Sequence, residues 1–226
     1  MHILLIILAL LAIIFGPQWW ASYTFRRYAT KQDHIQGTGG ELARHLLDRN
    51  DMKDVAVEVT EEGDHYDPIS RTVRLSPNNY NDNSLTAVAV SAHEVGHAIQ
   101  HHNNEAKLAL RSRLVGLAQK SEKLGSAIMI VMPFVMIITR SPIAGLIFTL
   151  AGLASMAGAT LVHLITLPVE WDASFGKALP ILKTGYIHEE DIAAIEKILK
   201  AAALTYVAAS LASLLNVWRW IALLRR

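Results

Sequence analysis

The sequence predicts a mainly α-helical membrane protein in which four transmembrane helices carry a small α+β domain at the membrane face. Three observations lead to this fold class. Hydrophobic residues make up 52% of the 226 residues, more than a soluble domain of this size usually has. Four long apolar runs interrupt the chain. The polar region between the first two runs alternates between helix and strand patterns.

Residues 3–15 form the first apolar run, which we interpret as a membrane anchor. Trp19 and Trp20 follow it, and Arg26 and Arg27 complete the aromatic and basic flank that is typical of a membrane interface. The alternative is a cleaved signal peptide. Such peptides usually begin with Lys or Arg, and the opening residues MHILL contain neither.

The other three runs complete the predicted set of spans. Residues 124–139 and 143–167 are separated by a short turn and predict a helical hairpin. The fourth run extends from Ala201 to about Leu215 and is followed by tryptophans and arginines.

Four spans would bring both polar segments into one compartment. More Lys and Arg flank the spans on this shared face than on the opposite face, so the positive-inside rule places it in the cytoplasm. The predicted domains are a first transmembrane helix (1–20), a polar domain (21–123), a transmembrane hairpin (124–167), a second polar segment (168–200), and a fourth transmembrane helix with a short tail (201–226).

The first polar domain begins with a helix and two strands. Thr38 and Glu41 have the spacing of a capping box and predict the start of a short helix. Residues 55–60 and 72–76 alternate as strands and are expected to form a hairpin. Strand 71–76 could also pair with an extended peptide, because edge strands accept peptides in that way.

A longer helix follows, from a cap at Asn83 or Ser84 to about Gln100. It contains HEVGH, in which His93 and His97 lie one turn apart on the same face. HExxH on a helix is the signature of zinc peptidases because both imidazoles can then reach one ion. The alternative is a chance match with two solvated histidines. With no cysteine in the chain, disulfides and thiolate sites cannot form, so any metal must be bound by His, Asp or Glu.

Glu94 stands where HExxH peptidases have their general base. Zinc lowers the pKa of a bound water, and the carboxylate takes a proton from that water as it attacks a peptide carbonyl. An intact Glu94 argues against a purely structural metal site, which needs no base.

Two further histidines do not extend the motif. His101 lies eight residues from His93, about 12 Å along the helix axis, so the two cannot share an ion with His97. His102 faces elsewhere. The longer HExxHxxGxxH pattern needs Gly and His where this chain has Gln100 and Asn103.

The third ligand is expected in LPVEWDAS, after the third apolar run. Glu170 and Asp172 are the nearby carboxylates. On a helix, Glu170 would face the same side as Ala173 and Ser174, whereas Asp172 would point about 160° away. The spacing therefore favours Glu170. The alternative is an acidic pair solvated at a membrane interface.

The segment DHYDP offers additional polar groups. His65 or Tyr66 could donate a hydrogen bond to the oxyanion that forms during peptide hydrolysis, although a turn around Asp67 with a packed tyrosine is an equal alternative. His163 is an ionisable residue inside the third run, where it could bond across the bundle or approach the site.

The motif HEVGHAIQH is preceded by DHYDP and VRLS and followed by LPVEWDAS and AAALTYVAA, so that the motifs together cover nearly the whole chain. In this order the sequence resembles the bacterial YugP-like family of membrane-bound neutral zinc metallopeptidases. That family is similar in site layout to HtpX-like and CAAX prenyl proteases, whose third ligand is the Glu of an ExxAD segment. The resemblance implies one zinc ion held by His93, His97 and Glu170 in a zincin-like domain. The aspartate of that pattern is replaced here by Ser174.

The implied function is a membrane-embedded zinc endopeptidase of a bacterial cell membrane, with its active site at the cytoplasmic face. Its expected partners are the lipid bilayer and a peptide or protein substrate from the membrane or its surface; the charge pattern, with a net charge of +1, excludes nucleic acid. One alternative is an intramembrane protease, since the residues around HEVGH are rather apolar, although the stretch is shorter than the ~20 residues of a span. The other is a non-enzymatic scaffold with a structural metal.

Overall fold

The computed structural model describes residues 2–205 and consists mainly of helices with one small sheet. Its elements, in chain order, are α1 (His2–Arg27), α2 (Gly39–Arg49), β1 (Ala56–Val59), β2 (His65–Asp67), β3 (Thr72–Leu75), α3 (Pro77–Asn81), α4 (Leu85–His102), α5 (Ala106–Thr139), α6 (Pro142–Trp171), a π-helical segment (Asp172–Ala178), α7 (Leu179–Leu182), a 3₁₀ turn (Glu189–Asp191) and α8, which covers 192–205.

Both predicted helix starts in the first polar domain are confirmed. The Thr38 hydroxyl accepts from the Glu41 amide, and the Glu41 carboxylate accepts from the Thr38 amide at 2.8 Å, which completes the capping box of α2. Of the two candidate caps of α4, Ser84 is the one used, and its hydroxyl accepts from the Ala87 amide at 3.1 Å.

The predicted hairpin between residues 55–60 and 72–76 is wrong. The sheet order is β1-β3-β2, and β1 pairs with β3 in parallel. The linker between them contains β2, which turns back and takes the antiparallel position beside β3. Because β3 is then central and hydrogen-bonded on both edges, the predicted pairing of strand 71–76 with a peptide is also wrong.

The described residues divide into two compact units. One consists of 2–18 and 110–166, and the other of Trp19–Ala109 and Leu167–Thr205. In the second unit, α4 packs against α2, the sheet and the π-helical segment. Its core contains fully buried side chains such as Leu46, Val73 and Leu199. This unit positions all the residues discussed below as a site.

The prediction of four transmembrane helices is wrong. Among the residues that the structure describes, one helical stretch is long and apolar enough to cross a membrane, Leu108–Thr139 within α5. The fourth predicted span begins with Ala201 and Ala203, which are buried inside the second unit, and continues beyond the described residues. An apolar run shows that a helix avoids water, but not whether lipid or protein covers it.

Candidate metal centre

Two histidines of α4 and one glutamate of α6 converge in the second unit. The ligand atoms of His93, His97 and Glu170 all lie within 4.8 Å of one another. Glu170 Oε2 is 3.4 Å from His93 Nε2 and 3.2 Å from His97 Nε2. The three side chains are buried, and Glu170 is fully enclosed. Among the described residues, this is the one group of three or more His and acidic side chains arranged to hold a metal ion.

The convergence depends on a close approach between α4 and the π-helical segment. A Cβ atom added to Gly96, in the middle of HEVGH, would stand 2.6 Å from the carbonyl oxygen of Ala173. Ala173 is completely buried. Real Cβ atoms do not come that close to a carbonyl oxygen, so the motif needs glycine here. π-helical turns are rare and occur frequently at functional sites, and this one begins two residues after Glu170.

Each of the two candidate ligand histidines has a neutral hydrogen-bond partner at its Nδ1 atom. His93 Nδ1 lies 2.9 Å from Ser174 Oγ, and this hydroxyl donates to the Leu199 carbonyl at 3.1 Å. Because the hydroxyl proton is donated to the Leu199 carbonyl, the Ser174 oxygen accepts the other hydrogen bond, which His93 Nδ1–H donates. His93 Nε2 is then left with its lone pair toward Glu170. Ser174 thus holds His93 from the position where the related pattern has an aspartate.

His97 is held by Gln100, whose Oε1 lies 3.0 Å from His97 Nδ1. No local sequence pattern indicates this role; Gln100 is only the residue that breaks the longer HExxHxxGxxH pattern. Asp172 does not reach the cluster. Its Oδ2 accepts from Gln100 Nε2 at 2.8 Å and lies 3.5 Å from Lys177 Nζ.

The donor set fits zinc. Two imidazole nitrogens and one carboxylate are a common ligand set of catalytic zinc, which keeps its fourth position open for water or substrate. The Nδ1 partner of His93 directs its Nε2 lone pair toward the carboxylate of Glu170, an arrangement that a cation between them would stabilise.

Glu94 is on the same helix and is 7% exposed. Glu94 is three residues before His97, a spacing that makes their side chains neighbours on the helix.

The two candidate residues of DHYDP, His65 and Tyr66, are not part of the three-residue cluster. His65 Nδ1 bonds to the Gly63 carbonyl at 2.8 Å. The Tyr66 hydroxyl is 2.7 Å from His101 Nδ1, and burial raises the pKa of Tyr66 to about 12. Their catalytic role stays a prediction. The side chain of His163 lies outside what the structure describes.

Comparison with known proteins identifies the family of the chain. A family described as "Putative neutral zinc metallopeptidase" matches residues 2–225. The chain is 35% identical over 216 residues, 95% of its own length and 92% of the relative's, to a protein of Bacillus subtilis (strain 168) named "Putative membrane protease YugP". No solved structure matches the chain. The family resemblance that the motifs indicated is therefore confirmed.

The glycine at the helix contact gives a first prediction. Gly96→Ala should lower the free energy of unfolding by about 1–3 kcal/mol, the usual cost of overpacking, because the Ala173 backbone must move. The same shift displaces Glu170 and should weaken zinc binding. Thermal unfolding and chelator competition on the purified protein measure the two effects.

Gly116→Ala is the matched control. Gly116 is also helical, and nothing lies within 4 Å of an added Cβ. Alanine there should be neutral or stabilising by up to ~1 kcal/mol. Equal effects of the two substitutions would contradict the proposed role of the Gly96 contact.

Proposed function

The chain belongs to the neutral zinc metallopeptidase family and is a zinc-dependent peptidase, and on this premise we propose that it is an endopeptidase whose zinc ligands are His93, His97 and Glu170. The observation that carries this proposal is the convergence of these three buried side chains, contributed by segments that are distant in sequence. Two histidines and a glutamate would make the site gluzincin-like.

Zinc in such a site supplies a Lewis acid that polarises a carbonyl and makes water a better nucleophile near neutral pH. We propose that Glu94 is the general base. Its carboxylate accepts a proton from the attacking water and then delivers that proton to the leaving amine. Partial exclusion of solvent around Glu94 strengthens its electrostatic interactions with the reacting groups.

Tyr66 is the stronger of the two proposed oxyanion donors. Its hydroxyl bonds to His101, which is four residues after His97 and so lies on the same face of α4. A pKa of about 12, raised by burial, keeps this hydroxyl protonated at neutral pH, when it can donate to a developing negative charge. His65 points its Nδ1 to the Gly63 carbonyl instead, which leaves it the weaker candidate.

We further propose that the substrates are membrane or membrane-proximal proteins. The relative's name describes a membrane protease, and Leu108–Thr139 is long and apolar enough to span a bilayer. The alternative of an intramembrane site is disfavoured because residues 85–100 of α4, which include HEVGH, are all buried among protein side chains of the second unit.

The ligand assignment predicts how zinc content changes on substitution. Glu170→Ala should remove bound zinc, whereas Asp172→Ala should retain one zinc ion per chain, because Asp172 bonds to Gln100 rather than to the cluster. Metal analysis of the purified variants measures this. Zinc loss from the Asp172 variant together with zinc retention by the Glu170 variant would reverse the assignment.

The base assignment predicts a loss of turnover without loss of metal. Glu94→Gln should keep zinc and the thermal midpoint but lower the rate of peptide cleavage by about 10²–10⁴, since an amide cannot take up the proton. Cleavage of a peptide library, with and without a chelator, is the measurement.

Tyr66→Phe is a useful comparison in the same assay. It removes only the hydroxyl and should lower turnover by ~10²–10³ if that group stabilises the oxyanion.

For the base assignment, a Glu94→Gln enzyme with turnover within a few-fold of the wild type would remove Glu94 from the mechanism.

The side of the membrane is also open to test. We propose that the active site faces the cytoplasm, because the N-terminal half of α5 is rich in Lys and Arg, whereas the turn directly after its C-terminal end carries the single basic residue Arg140. At about 51 Å, α5 exceeds the ~30 Å hydrocarbon thickness, so its charged half can lie outside the hydrocarbon.

Single cysteines at Asn103, Lys183 and Ser141 can be tested with an impermeant thiol reagent, because the chain has no cysteine of its own. On intact cells Ser141 alone should be labelled, and all three after permeabilisation. Asn103 and Lys183 belong to one compact unit and must behave alike. Labelling of these two without Ser141 would place the site outside the cell.

A further inference from the structure

Gln100 is tied to both sides of the metal centre. We infer that it is the positioning residue that fixes His97 for metal binding and holds the Glu170 segment against α4. This inference rests on the ligand set proposed above. The side chain is 1% exposed and makes three hydrogen bonds: with His97 Nδ1 at 3.0 Å, with the Val169 carbonyl at 3.0 Å and with Asp172 Oδ2 at 2.8 Å.

These partners determine the orientation of the amide. The Val169 carbonyl and the Asp172 carboxylate can only accept, so the NH₂ group of Gln100 must face them. Its carbonyl oxygen then faces His97 Nδ1, which must carry the proton. Since a neutral imidazole has one N–H, His97 Nε2 keeps its lone pair, and this atom is the one that faces Glu170.

The same amide also acts on the second ligand. Val169 directly precedes Glu170, and its carbonyl accepts from Gln100 Nε2. One side chain of α4 therefore sets the tautomer of a histidine ligand and the backbone position of the carboxylate ligand. A substitution at Gln100 should therefore weaken metal binding more than the loss of one hydrogen-bond partner of His97 alone.

The Asp172 carboxylate, which accepts from Gln100, is itself held by an ion pair. Asp172 Oδ2 lies 3.5 Å from Lys177 Nζ, and Lys177 pairs with Glu105 at 3.0 Å. The hydrogen bond that Lys177 donates to Glu105 and the charge of Asp172 are among the causes that raise the pKa of Lys177, so the cation is kept. This ion-pair chain keeps the Asp172 carboxylate in place as an acceptor for the buried amide.

The test is the zinc affinity of the purified full-length protein, measured by chelator competition. Gln100→Leu should weaken zinc binding by about 10–100-fold, the usual effect of losing a partner of a metal-bound histidine. Gln36→Leu makes the same chemical change at an exposed site and should change nothing. A Gln100→Leu affinity within two-fold of the wild type would overturn the inference.

A pair of substitutions distinguishes positioning by the hydrogen bonds of Gln100 from simple packing of its side chain. Gln100→Glu still offers an acceptor to His97, but its second oxygen would face the Val169 carbonyl and the Asp172 carboxylate, so affinity should fall as in Gln100→Leu. Adding Asp172→Asn supplies an NH₂ group opposite that oxygen and should recover part of the affinity, several-fold over Gln100→Glu. Absence of any recovery would contradict the hydrogen-bond argument, and this comparison decides even where Gln100→Leu does not fold.

His97→Ala distinguishes this inference from the proposed function. It should abolish zinc binding. If it retains zinc at wild-type affinity, the proposed ligand set is wrong. If it loses zinc while the Gln100 variants bind normally, only the inference about Gln100 is wrong.

Discussion

The metal centre depends on the contact between Gly96 and the backbone of Ala173. This contact lets the π-helical segment lie directly on α4, with no side chain between the two backbones. Glu170, Ala173 and Ser174 are spaced so that they share one face of their segment, and each meets α4 or a residue of the motif. One glycine therefore sets the distance at which a carboxylate ligand and a histidine partner both reach HEVGH.

Both histidines are oriented by uncharged groups. His93 donates to a serine hydroxyl and His97 to a carboxamide, where related zinc sites frequently use a carboxylate. A carboxylate partner raises the basicity of a ligand imidazole, and a neutral partner raises it less. The ion in such a site would retain more of its positive charge for a bound water or a substrate carbonyl. The cost of burying these polar partners is offset because each one is itself hydrogen-bonded, Ser174 to Leu199 and Gln100 to Val169 and Asp172.

Local patterns in the sequence predicted local structure well. The capping box of α2, the Ser84 cap of α4 and the one-turn spacing of the histidines all depend on residues within four positions of one another. Glu170 could be selected over Asp172 for the same reason, since helical spacing separates their directions. The predictions that failed depend on contacts between residues that are far apart in the sequence. The parallel pairing of β1 with β3 depends on the linker between them, which forms β2 on the far side of β3. The number of spans depends on which surfaces cover each apolar helix. Gln100 was missed because its partners Val169 and Asp172 are far away in sequence.

The apolar character of the HEVGH helix has its explanation in this packing. An apolar helix that carries catalytic groups can be surrounded by lipid or by protein, and its composition does not distinguish the two. Here Val88 and Val95 belong to a core shared with α2 and the sheet, as do Leu46 and Leu75, so protein covers the helix along the stretch that precedes and contains the motif. Hydrolysis needs water and a basic carboxylate, and both are costly to place in hydrocarbon. The protein core around α4 encloses the three candidate ligands, so their burial does not require lipid.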